Sequence, residues 1–180
     1  ITSDYRPTQL QFAYLKKMPG RAVGYYLDVN PTKEQPENYQ LYRYLYDDEL
    51  KLRVNGKNSK ISSKKGISSA VALKATSSGT VALFAPHKRG HSGVEGIAVE
   101  ILKQLNSSED VSLREYAPVD FIDDLICYFS ILFGEEYLLI EAIEVGFLYH
   151  HGDFPPNVRE IIEDALRSGF IRLVVCTNTL

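Results

Sequence analysis

The spacing of apolar residues changes partway along the chain. Residues 21–29 (RAVGYYLDV) have strand composition, and a break follows at Pro31 and Pro36. Over 39–46 the chain alternates, with Leu41 and Leu45 on one face and Tyr42, Tyr44 and Tyr46 on the other. A polar Asp47-Asp48-Glu49 follows, and Leu50, Leu52 and Val54 alternate again. Period-two alternation around a polar turn predicts an antiparallel hairpin over 39–54. Tyrosines at strand spacing fit a half-buried sheet face better than a base-stacking platform. Residues 55–66, rich in Ser, Gly and Asn, are expected to form a flexible connector.

From Lys65 onward, strand-like and helix-like segments take turns. A helix is expected over 66–76. Thr80 to Ala85 is a continuous apolar run closed by Pro86, the pattern of a strand buried on both faces. Val94, Ile97, Ala98, Ile101, Leu102 and Leu105 share one helical face. Two more helices are expected over 119–133 and 136–145, ended by Gly134 and Gly146. Residues 147–150 form a short strand. Pro155 and Pro156 suit a helix start, where no intrahelical N–H is needed, with Asp153 placed to help at the cap. Val158, Ile161, Ile162, Ala165 and Leu166 then recur at helical spacing up to Gly169, and 170–176 reads as a second doubly buried strand. Such alternation predicts a parallel sheet with right-handed crossovers and helices on both faces. Ligands in these sheets bind beyond the carboxyl ends of the strands. Three loops fall there: 86–93, 150–154 and 177–179.

Composition narrows the function classes. The chain has 180 residues, 44% hydrophobic and 24% charged, with a net charge of -3, so any attraction to nucleic acid must come from local patches. Lys57, Lys60, Lys64 and Lys65 fall in the connector and read as solvated; His87, Lys88, Arg89 and His91 fall at a strand end and carry more weight. The longest apolar run, 125–133, is too short to span a bilayer. With no signal-peptide pattern, a cytoplasmic or, in a eukaryote, nuclear location and no membrane partner are expected. Cys127 and Cys176 lie in apolar segments and read as buried thiols in a reducing compartment. The chain opens on Ile1 rather than Met, which is expected of an excised piece.

Several local patterns have simpler readings. His150-His151 with Asp153 is not expected to bind metal, because neighbouring strand residues point to opposite faces and no further ligand completes a set. A hydrolase using either histidine as base lacks a suitably spaced nucleophile. Arg159 and Glu163 are spaced to form a surface pair. The glycines of RGHSGVEG lack the Gly-Lys-Ser/Thr of a phosphate loop and read as turn and helix-start residues.

Tyr149-His150-His151, Pro155-Pro156, Arg159, Glu163, Gly169, the strand Ile171 to Cys176 and Thr177-Asn178-Thr179-Leu180 together carry a resemblance. In types and spacing this run resembles the second motor domain of superfamily 2 helicases, particularly the superkiller- and Hel308-like group. The strand Val81 to Ala85 with its His-Lys-Arg looks like motif IV of that domain, so the resemblance covers about 79–180. It implies a RecA-like parallel sheet with flanking helices, incomplete at the C-terminus, over 65–180, preceded by a β-rich linker or hairpin element over 1–64. It implies ATP-dependent translocation along, or unwinding of, single- or double-stranded DNA or RNA.

On this resemblance His87, Lys88, Arg89, His151, Arg159, Thr177 and Thr179 would contact the nucleic-acid backbone, and Thr177 and Asn178 would couple it to the nucleotide. ATP and Mg2+ would be held with a first RecA-like domain, the missing partner before Ile1. The arginine-bearing motif VI would follow Leu180. No catalytic residue is expected within these 180 residues. The fragment alone is expected to bind no cofactor and to be inactive. The competing reading is a non-catalytic Rossmann-like module that binds a nucleotide or a protein.

Overall fold

The computed structural model describes residues 13–17, 25–29, 39–42, 51–54, 57–61, 63–77, 79–107 and 112–177. The chain divides into two compact units, residues 1–51 and 52–180. The first holds an antiparallel sheet of β1 (Ala13–Lys17), β2 (Tyr25–Val29) and β3 (Tyr39–Tyr42), with β2 in the middle. Ala13 pairs with Val29 and Lys17 with Tyr25; between β2 and β3 the register shifts near Leu27 and Val29.

The expected 39–54 hairpin is therefore replaced by a different pairing. β3 joins β2, whereas β4 (Lys51–Val54) pairs with β5 (Lys57–Lys60), inside what read as a connector. Only Asn55 and Gly56 separate β4 from β5. Asn-Gly is the dipeptide that most favours a two-residue hairpin turn, since both tolerate positive φ. That local signal outweighs the tyrosine alternation farther upstream. Residues 43–50, with Tyr44 and Tyr46, lie outside the described residues.

The second unit is α/β. Its three-stranded parallel sheet has the order β6 (Val81–Phe84), β8 (Leu173–Cys176), β7 (Leu148–His150), flanked by α1 (Lys64–Ala75), α2 (Val94–Ser107), α3 (Val119–Phe133), α4 (Leu138–Glu144) and α5 (Pro156–Arg167). This is consistent with an incomplete RecA-like fold. The chain crosses from β6 over to β7 through α2, α3 and α4, then returns to the centre through α5. Right-handed crossovers made in opposite directions place their helices on opposite faces. The side chains agree: Tyr149 feels Tyr137 and Glu95 on the α2–α4 side, and His150 feels Glu163 and Arg159 of α5 on the other.

This topology explains where burial falls. β7 and the central β8 are buried at every position. β6 is not: Ala82 and Phe84 are exposed, Phe84 at 56%, against the expectation of a doubly buried strand. Ala82, Phe84 and His150 share the face towards α5, and α5, which connects β7 to β8, packs mainly on β7. The apolar run marked a strand correctly and its burial incorrectly.

The core joins Ile97, Ile101 and Leu102 of α2 to Phe129 of α3, Leu139 and Ile143 of α4, Ile162 of α5 and the inner strands. Removing aliphatic and aromatic side chains of this size from water stabilises by roughly 1.5–3 kcal/mol each. Gly146 shows how tightly this core closes. It sits at φ 95° with Leu113 and Arg114 backbone 2.5–2.6 Å from where a Cβ would stand.

One cysteine expectation fails. Cys176 is buried at the end of β8, and burial pushes its thiol up to about 11; Cys127 is exposed on α3. Asp120, Asp123 and Asp124 stand at helical spacing with Cys127, so Cys127 shares their exposed face while Ile122, Leu125 and Phe129 turn inward. Among the described residues no helix is long and apolar enough to cross a membrane.

Candidate nucleic-acid interface

The three parallel strands end in register. Phe84 pairs with Cys176 and Cys176 with His150, so these residues form one row across the sheet. Ala85, Thr177 and His151 follow at the same edge, with Ala85 N–H donating to the Cys176 carbonyl at 2.8 Å. Thr177, half-buried, thus leaves the sheet between the loop after β6 and the loop after β7. Asn178 and Thr179 lie outside the described residues.

The loop after β6 is clamped onto the start of α2. Val94 N–H donates to the His87 carbonyl at 2.9 Å, and Gly93 N–H to the Gly90 carbonyl at 3.0 Å. A Cβ on Gly96 would stand 2.5 Å from the Gly90 and His91 carbonyl oxygens, and one on Gly93 2.4 Å from the Arg89 oxygen. These glycines are therefore turn and helix-start residues packed under the loop's own backbone. Carbonyls, not N–H groups, fill the space over Gly96, the reverse of a phosphate cradle.

Lys65 of α1 adds a side-chain anchor. Its ammonium donates to the Gly96 carbonyl at 3.2 Å, lies 3.3 Å from His91 Nε2, and faces the Glu100 carboxylate at 3.9 Å. Sequence reading assigned Lys65 to a solvated cluster; here it is largely enclosed between two helices.

This clamp presents His87 and Arg89 to solvent. Arg89 forms no ion pair or hydrogen bond through its side chain among the described residues. Lys88 does: its ammonium pairs with the Asp153 carboxylate from the loop after β7. The hydrogen bond from Lys88 holds the Asp153 carboxyl below the ordinary carboxylate range. Asp153 is therefore not a helix cap. The N-cap of α5 is Pro155, which has no side chain able to cap.

The loop after β7 has the opposite character. His150 is fully buried and both of its ring nitrogens lack hydrogen-bond partners. His151 is 7% exposed, its ring 4.5 Å from that of Phe154, and its Nδ1 is unpartnered. Burial pushes both imidazoles below the ordinary histidine value. Glu163 opposes this at His150, where Arg159 and His151 reinforce it; Asp153 and Glu95 oppose it at His151. Both rings are therefore neutral near pH 7.

Arg159 lies one turn into α5. The surface pair expected with Glu163 does not form, because Glu163 accepts from Arg167 at 3.1 Å. Arg159 keeps its Nε buried and unpartnered, with no side-chain ion pair among the described residues. The segments that follow the two outer strands thus carry two arginines without carboxylate partners, Arg89 in a loop and Arg159 in α5, with one engaged lysine and two neutral histidines.

No family model matches the chain. A 42-residue stretch is 40% identical to the ATP-dependent DNA helicase Hel308 of Aeropyrum pernix. The match covers 23% of this chain and 6% of that protein. The chain therefore has a short similarity to a helicase, on an α/β fold consistent with an incomplete RecA-like fold.

Among the expected site residues, the structure brings His87, Lys88, Arg89, His151 and Thr177 to the strand-end edge, with Arg159 in the helix that follows β7. Sequence reasoning missed two groups that organise this edge: Lys65, and Asp153 as a partner of Lys88. The second left a signal, since loops of opposite charge leaving parallel strands at one edge are placed to meet.

Proposed function

We propose that this chain is part of the second motor lobe of an ATP-dependent nucleic-acid helicase or translocase. In this reading the strand-end edge holds the phosphate backbone of DNA or RNA. The observation that carries it is the pair of arginines without carboxylate partners, Arg89 in the loop after β6 and Arg159 in the helix after β7, the two strands on either side of β8. Arginine's planar fork suits phosphate oxygens and reads no base sequence. Thr177, at the end of β8, adds a hydroxyl to the same track, and Thr177 with Asn178 relays strand contact towards the nucleotide. The short similarity to a DNA helicase supports the same reading. ATP and Mg2+ belong with a first motor domain, since the glycines of 90–96 cradle the chain's own carbonyls. The 180-residue chain is expected to hydrolyse no ATP by itself.

The test is fluorescence anisotropy of labelled oligo-dT and oligo-U strands titrated with the chain at several KCl concentrations. Log affinity should fall linearly with log salt, and Arg89→Ala and Arg159→Ala should each flatten the slope by about 0.7. Binding unchanged in both variants, or insensitive to salt, would refute the reading.

A further inference from the structure

The Lys88–Asp153 pair spans more than its two loops. Lys88 follows β6 and Asp153 follows β7, and in the sheet order β8 lies between these strands. The outer strands of such a trio stand roughly 9–10 Å apart. To meet, the two side chains must reach across the end of β8, where Thr177 leaves the sheet. The pair is exposed, with Lys88 and Asp153 side chains at 42% and 54%. Exposed lysine–carboxylate pairs contribute little to stability, and lysine's flexible stem lets the ammonium change partners cheaply.

Resting on the proposed backbone-binding role, we infer that Asp153 is an internal counter-ion that occupies Lys88 across the strand-end edge and gives it up to a nucleic-acid phosphate. Asp153 stands in for phosphate in the unliganded chain. When a strand enters, Lys88 exchanges one anionic oxygen for another, and the freed carboxylate repels the incoming backbone. Asp153 thereby lowers affinity for every sequence alike and favours release of the strand after each contact. Lys88 is thus a conditional contact, unlike Arg89 beside it, which has no anion to leave.

A double-mutant cycle on the 180-residue chain tests this, using labelled oligo-dT in 50–200 mM KCl. Asp153→Asn should tighten binding about three- to ten-fold at the lowest salt and steepen the salt slope by up to about 0.7, the weight of one released phosphate contact. Lys88→Met should weaken binding, and adding Asp153→Asn to it should recover less than about two-fold, because only screened field effects remain. An equal gain in both backgrounds would show a general field effect and overturn the inference. So would weaker or unchanged binding by Asp153→Asn while Arg89→Ala still lowers affinity, an outcome that leaves the backbone-binding role intact. If the wild-type chain binds no strand, or the arginine variants bind as it does, that role falls and the inference with it. A readout without ligand checks the pair itself: by carboxyl NMR, Asp153 should titrate nearer the ordinary value of 3.8 in Lys88→Met than in the parent chain. An unchanged titration would also overturn the inference.

Discussion

Two loops leave the same sheet edge and handle charge in opposite ways. The loop after β6 keeps its cations in water, and its precision comes from backbone packed over Gly93 and Gly96 and from Lys65 beneath. The loop after β7 buries its titratable groups, and burial keeps its histidines neutral. The first is an electrostatic surface on a rigid support; the second is a packed support whose one exposed charge, Asp153, reaches back to the first. Function at this edge need not come from the residues that look most chemical. The two adjacent histidines are buried, while Arg89 and Lys88 reach the solvent.

The sharpest way to break this contrast is to remove the support from the first loop. In Gly96→Ala the new methyl would meet two carbonyl oxygens at 2.5 Å, and these belong to backbone that cannot rotate away. Overpacking of this kind should cost about 1–3 kcal/mol, read as a fall in the urea midpoint. Strand affinity should fall with it as Arg89 loses its position. Asp153→Asn, in the exposed part of the other loop, should leave the midpoint unchanged. A Gly96→Ala midpoint equal to that of the parent would mean the loop is not clamped.

His150 tests the second loop. Its two ring nitrogens are enclosed without partners, so His150→Leu should raise stability near neutral pH by roughly 1 kcal/mol. It should also alter the pH profile, with the following sign. The folded-state pKa lies below the ordinary 6.5, so the unfolded chain takes up its proton first as pH falls. The stability held above pH 6.5 is thus lost progressively towards the depressed folded value. His151, also depressed, titrates in the same direction. Asp153 does not interfere, since its contribution is lost only below the ordinary carboxylate value of 3.8. Denaturation at pH 7.5 and pH 5 should therefore show a smaller acid loss in His150→Leu than in the parent. An equal loss would mean His150 is not held neutral by burial.

How much of this was legible in the sequence depends on the range of the forces involved. Helical periodicity and terminal glycines located α2, α3, α4 and α5, because period and caps are local properties. The parallel sheet followed from strand–helix alternation, and its strand-end loops followed from the sheet. β1 escaped notice: Ala13–Lys17 is short and carries two lysines. β5 was hidden by its polar composition, KNSK, although Asn55-Gly56 beside it is a strong turn signal. The exposed face of β6 was illegible because apolar content does not reveal which neighbours cover a strand. The site divided similarly. Residue types at strand ends could be read in order, but the partners of Lys65, Lys88 and Glu163 depend on side chains brought together across the fold.

The smallest expected effect lies where the support meets the surface. Lys65 touches no candidate strand contact directly, yet it holds the Gly96 carbonyl and sits against His91 at the tip of the first loop. Lys65→Met keeps the length of the stem and removes its ammonium. The Glu100 carboxylate then keeps its 3.1 Å hydrogen bond from Gln104, which also reaches the Gly66 carbonyl, so the α1–α2 contact survives. The loss should be about 1 kcal/mol, the net scale of a single ordinary hydrogen bond, since this one is long and partly exposed. Two explanations of any fall in strand affinity are then separable. If Lys65 were itself a phosphate contact, its removal would flatten the salt slope by about 0.7. If it acts by holding the loop, affinity should fall about two-fold with the slope unchanged, because Arg89 and Arg159 still meet the backbone but from a less fixed position. A flattened slope would move Lys65 from the support to the surface, and the division between the two loops would have to be redrawn to include α1.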